Sequence, residues 1–109
     1  MTNKKVTPST GNVFADLELE NADELLVKAE LALRITQVIK GHGLTQIAAA
    51  KMLGIDQPKV SRLVRGELYG FSTDQLMQFL NALGHDVEIV VRKRPRRGKA
   101  RGKLVVQAA

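Results

Sequence analysis

TQIAAAKMLGIDQPKVSRLVRG, running from Thr45 to Gly66, reads as two short helices that meet at a glycine. Thr45 is placed to cap the first helix and Gly54 to stop it, because only glycine takes a positive φ without cost. Asp56 or Gln57 can cap the second helix, with Pro58 in its first turn, where a missing N–H is no loss. That helix runs to Arg65, ahead of Gly66. Ala50 is small at the point where the two helices must cross closely. Ile47, Leu53, Ile55, Val60 and Leu63 are expected to form the shared core of the pair.

What this packing leaves exposed on the second helix is Gln57, Lys59, Ser61, Arg62 and Arg65. A polar and basic face on a short helix, held at a fixed angle to its predecessor by a glycine turn, is the helix-turn-helix arrangement. Such a helix can enter the DNA major groove with its N-terminal end foremost.

Upstream, a long helix is expected from Asn21 to Lys40, with Asn21 as cap, Glu24 at the third position and Gly41 closing it in the left-handed conformation. Its apolar residues fall on two stripes. Val27, Leu31, Ile35 and Val38 make one; Leu25, Ala29 and Ala32, flanked by Leu26 and Leu33, make the other. One stripe can face the core and the second needs a partner. Downstream, Phe71-Ser72-Thr73-Asp74-Gln75-Leu76 combines a capping box from Ser72 to Gln75 with a Phe71–Leu76 hydrophobic staple. The helix it opens should bury Leu76, Phe79, Leu80 and Leu83 and end at Gly84, with Tyr69 assigned to the core alongside Phe71. The period then changes. Val87, Ile89 and Val91 alternate with Glu88, Val90 and Arg92, the pattern of a strand. A lone strand cannot satisfy its backbone. The other extended candidate is Asn12 to Leu19, so a second copy of the chain is the expected partner.

The chain of 109 residues and net charge +6 divides unevenly. Residues 1–88 hold nine basic against eleven acidic side chains, whereas eight of the 17 Lys and Arg lie between Arg92 and Lys103. Three regions follow: residues 1–11 as a loose N-terminus, 12–92 as the folded domain with its dimerisation strand, and 93–109 as a basic tail expected to be disordered when unbound. Inside the body, Asp16 to Glu30 carries six acids against Lys28, and Arg34 to Glu67 carries six basic residues against Asp56 and Glu67. An acidic front and a basic middle point to two different partners. No cysteine is present, and His42 and His85 each lie beside a helix-ending glycine, so neither a disulfide framework nor a metal cofactor is expected. No stretch has the length of about 20 apolar residues that a membrane span needs, and the N-terminus has no apolar signal segment, which makes the cytoplasm the expected location. With no phosphate-binding glycine loop, nucleophile elbow or paired histidine and carboxylate, an enzyme is not expected.

With Thr45 and Gln46 opening one helix and Gln57 opening the next, the sequence resembles the Xre/Cro family of helix-turn-helix regulators. The flanking NVFADLELENADELLVKAELALRI and FSTDQLMQFLNALGHDVEIVV are similar to the small HigA-like antitoxin branch of that family, over residues 12–92. The resemblance implies a mainly α fold, a lambda-repressor-like helical bundle with a short C-terminal β-strand paired in a homodimer. It also implies binding to a double-stranded DNA operator and a messenger-cleaving toxin partner of the RelE type. The long basic tail is a departure from the family pattern.

Within that resemblance Thr45 and Gln46 are expected to meet phosphate through side chains and backbone N–H groups. Gln57, Lys59 and Arg62 are the candidates for reading bases, Ser61 lies on the same face, and Arg65, one turn later, is expected on phosphate. Pro58 stands where many family members carry a polar side chain, which shifts the readout toward Lys59 and Arg62. Two functions remain open: an antitoxin that also represses its own operon, and a stand-alone transcriptional regulator. The acidic front favours the first, since a basic ribonuclease would be held by it.

Overall fold

The computed structural model of the chain describes residues 18–93 and 102–108. Four helices form among them: α1 (Glu18–Gly41), α2 (Gln46–Leu53), α3 (Gln57–Val64) and α4 (Thr73–Ala82). The loose terminus expected at residues 1–11 and most of the basic run of the tail lie outside the described residues.

The first helix is longer than its capping signal implies. Asn21 lies inside α1 rather than at its start, and Glu18 and Leu19, expected to be extended, belong to its first turn. Glu-Leu-Glu is a run of good helix formers, and acids near a helix N-terminus are favourable, so nothing forces the chain out of the helix at Asn21. At the other end Gly41 is still helical. The chain turns at Gly43, where Gly43 N–H donates to Lys40 O and Leu44 N–H to Ile39 O, both at 3.0 Å. These are the two bonds of a Schellman closure.

Helices α2 and α3 have eight residues each, too short to persist alone in water, so tertiary packing holds them. Helix α1 packs against α4 and α3, and α2 packs against α3 and α4. The core at their junction contains Ile35 from α1, Val60 and Leu63 from α3 and Leu76 from α4, all fully buried. Each such side chain contributes roughly 1.5–3 kcal/mol of hydrophobic stabilisation. Ala49 and Ala50 are buried where α2 meets its neighbours, and small side chains there let the backbones approach. Ile55 is half-buried against this core, but Ile47 is 64% exposed and contributes no packing to it.

The two stripes of α1 separate as their periodicity requires. Leu31, Ala32, Ile35 and Ile39 are buried with Val27 and Val38 at the margin, whereas Leu25, Leu26 and Leu33 remain exposed. Ala32 therefore joins the first stripe. Helix α4 opens on the expected capping box: Gln75 N–H donates to Ser72 Oγ at 3.1 Å and Ser72 N–H to Gln75 Oε1 at 3.3 Å. Phe71 and Leu76 are both buried behind it, and Phe71 meets Phe79 edge to face with ring centroids 6.2 Å apart.

After Gly84 the expected strand does not form among the described residues. Asp86–Arg92 carries no regular secondary structure; Val87 rests against the core while Ile89, Val90 and Val91 are exposed. Strands exist by pairing, and the described residues of one chain offer this segment no ladder. Within 102–108, Val106 also rests against the core, so the chain beyond residue 93 is not without packing contacts.

Candidate nucleic-acid interface

The turn between α2 and α3 is built from Gly54, Ile55 and Asp56. Gly54 takes φ 73° and ψ 29°, which lets Ala50 O accept from Gly54 N–H at 2.9 Å and from Ile55 N–H at 3.1 Å. A Cβ at Gly54 would meet no atom within 4 Å, so the requirement there is conformational, not steric crowding. Of the two candidate caps for α3, Asp56 is the one used. Its Oδ1 accepts from Lys59 N–H at 2.9 Å, and Pro58 occupies the first turn. Thr45 caps α2 through its hydroxyl oxygen, which accepts from Ala48 N–H at 3.0 Å and leaves the hydroxyl proton free to donate outward.

These caps bring the starts of α2 and α3 together. Gln57 Nε2 donates to Gln46 Oε1 at 2.6 Å, across eleven positions of sequence. Gln46 is half-buried and Gln57 exposed. The bond uses one amide proton of Gln57 and leaves its carbonyl oxygen and second proton for a partner; Gln46 keeps both of its own amide protons. An amide so arranged presents an acceptor and a donor side by side, the pattern that matches adenine in the major groove. Lys59 is exposed in the first turn of α3, and its side chain has no ion pair or hydrogen bond among the described residues.

The second half of α3 is different. Arg65 pairs with Glu67 through two bonds, Nε to Oε2 at 3.0 Å and Nη2 to Oε1 at 3.2 Å, and its Nη1 donates to Ser61 Oγ. Hydrogen bonding from Arg65, then its charge, lowers the Glu67 carboxyl below the ordinary carboxylate value, with a smaller contribution from Arg62. Arg62 turns toward the loop after α3. It donates to Tyr69 O and its guanidinium carbon stands 5.5 Å from the centre of the Phe71 ring. Tyr69, expected in the core, is 91% exposed, because the turn at Gly70 directs Phe71 inward in its place. The seven residues singled out in the sequence thus divide into a set at the helix starts (Thr45, Gln46, Gln57, Lys59) and a set engaged with one another and the loop (Ser61, Arg62, Arg65). Glu67 and the carbonyl of Tyr69 are the partners the sequence did not reveal; the i,i+2 spacing of Arg65 and Glu67 across a helix end was the available signal. No group of His, Asp and Glu among the described residues could hold a metal ion, and no helix among them is long and apolar enough to cross a membrane.

A family model described as "Helix-turn-helix domain" matches residues 13–92. The chain belongs to this helix-turn-helix domain family. A solved structure named as an XRE-family transcriptional regulator is 49% identical, with a TM-score of 0.76, over 82% of this chain and 99% of that one. That similarity groups this helix-turn-helix protein with the XRE-family regulators, a family that is generally non-enzymatic. No curated protein matches the sequence.

Proposed function

We propose that the protein is a sequence-specific DNA-binding repressor that works as a homodimer and as the antitoxin of a type II toxin–antitoxin pair, repressing its own operon. The observation that carries the DNA reading is the Gln46–Gln57 pair at the exposed start of α3, beside the free Lys59. Gln57 and Lys59 read bases, Thr45 and Gln46 hold phosphate, and the Arg65 end of the helix lies along the backbone.

The dimer reading rests on surface without a partner. Leu25, Leu26 and Leu33 on α1 and Ile89, Val90 and Val91 beyond α4 are exposed. A second copy would cover the leucines and pair the 86–92 segment as a strand. The antitoxin reading rests on charge. Asp16 to Glu30 is acidic and lies largely on α1, while the basic face lies on α3, so a basic ribonuclease of the RelE type and DNA would use different helices. The name of the 49% identical structure supports the coarser reading, a DNA-binding transcriptional regulator; the alternative is a stand-alone regulator with no toxin partner.

The test is a gel-shift titration with the duplex upstream of the protein's own gene, together with co-purification against the product of the adjacent reading frame. Tight binding to that duplex over a scrambled one, and capture of a small basic protein, are expected. Binding without capture leaves the stand-alone regulator; equal binding to both duplexes overturns specific recognition.

A further inference from the structure

Arg62 lies in the middle of the proposed recognition helix, where an arginine facing the groove would read guanine, yet its side chain is directed elsewhere. The residues after α3 form a turn closed by Phe71 N–H donating to Leu68 O at 3.0 Å, with Gly70 at φ 89° in its third position, as in a type II turn. That geometry presents the Tyr69 carbonyl toward α3, and Arg62 donates to it. The same guanidinium lies against the Phe71 ring, and its Nη2 is the nearest atom to a Cβ built on Gly70, at 3.8 Å. Phe71 is in turn fixed by Phe79 and buried in the core. Arg65 ties Glu67 at the start of the same loop. Arg62 in α3 and Arg65 at its C-cap are thus both spent on the segment from Glu67 to Phe71.

We infer that Arg62 is a positioning residue, which fastens the α3–α4 loop to the recognition helix, and that base reading is confined to the first turn, Gln57 and Lys59. This rests on the proposed DNA reading. To reach a base, Arg62 would abandon a charge-assisted bond and an aromatic face, both local and preorganised. Held in place, it fixes the angle at which the loop and the highly exposed Tyr69 leave the helix, and so acts on affinity through shape.

The experiment has two arms on the full chain, with Arg62→Ala, Arg62→Lys and Gln57→Ala. In the first, amide hydrogen exchange on the free protein reads the Phe71 amide. Arg62→Ala is expected to speed its exchange about tenfold, the size of one lost charge-assisted hydrogen bond. Arg62→Lys, which keeps the charge but not the planar fork, should recover only part of the protection, and Gln57→Ala should change nothing. In the second, each variant selects duplexes from a random-sequence library. Arg62→Ala is expected to weaken binding to the selected duplex and to random duplex by the same factor while leaving the base-preference profile unaltered, whereas Gln57→Ala flattens one or two positions. Loss of a guanine preference on Arg62→Ala, or unchanged Phe71 exchange, overturns the inference. Failure of the wild-type chain to bind any duplex would sink the DNA reading instead, and the exchange arm would still decide the role of Arg62 in the loop.

Discussion

Arg65 and Glu67 face each other across the end of α3, both exposed, so their pairing is sensed by titration far more than by stability. The Glu67 carboxyl is held below its ordinary value by hydrogen bonding from Arg65 first and by charge second. A lowered folded-state value means that whatever the pair contributes is present above the unfolded carboxylate range and is lost as pH falls through the lowered value. Carboxyl NMR should therefore find Glu67 titrating below the ordinary glutamate value, and Arg65→Met should return it most of the way, since only the smaller effect of Arg62 remains. A Glu67 that titrates at the ordinary glutamate value would mean the pair is not formed in solution. Gln57 differs in kind, because its free amide edge is proposed to face a base. Gln57→Ala should cost roughly 1–3 kcal/mol at a preferred duplex and little at random DNA, as read by binding titration.

At the scale of the element, the caps and turns were legible because their chemistry is local. Ser72 and Gln75 specify the start of α4, and Thr45 and Gly54 bracket α2, from residues within a few positions of one another. Ser72→Ala removes the acceptor for Gln75 N–H and should cost about 1 kcal/mol, lowering Tm by roughly 4–8 °C, measured by thermal denaturation. Gly54→Ala should cost roughly 1–2 kcal/mol for a different reason, since alanine must hold φ 73° in a turn with ample space. The start of α1 was not legible, because Asn21 is as good a cap as Ser72 but the residues before it are equally content to be helical. Ile47 was misplaced because an eight-residue helix shows too few turns for its buried face to be read from apolar spacing alone. Tyr69 was misplaced because the turn at Gly70, which sends one aromatic out and the next in, depends on a carbonyl gripped from seven residues away. In the candidate interface the side-chain identities were legible, but the division between groups free to meet a ligand and groups spent on their neighbours was not. That division is a matter of contacts made across the turn.

On the scale of the whole molecule, two uncommitted surfaces have opposite chemistry. The exposed leucines of α1 suit a second copy, so Leu26→Glu with Leu33→Glu should shift a sedimenting dimer toward the 12.0 kDa monomer without unfolding it, as neither residue is buried. The acids on and ahead of α1 suit a basic protein. Charge reversal at Asp16, Glu18 and Glu20 leaves the helix-turn-helix core and the Gln46–Gln57 pair untouched in sequence, and it raises the positive charge seen by DNA. It should therefore weaken capture of a basic toxin while leaving operator binding intact or slightly tighter. Gln57→Ala should do the reverse, losing operator choice while still protecting cells that express the toxin. A co-expression growth assay run beside an operator-shift assay on both variants reads the two activities separately. Because α1 packs directly on α3, the alternative is that one surface serves both partners. In that case the two variants would lose protection and operator binding together, and separate faces for toxin and DNA would be excluded.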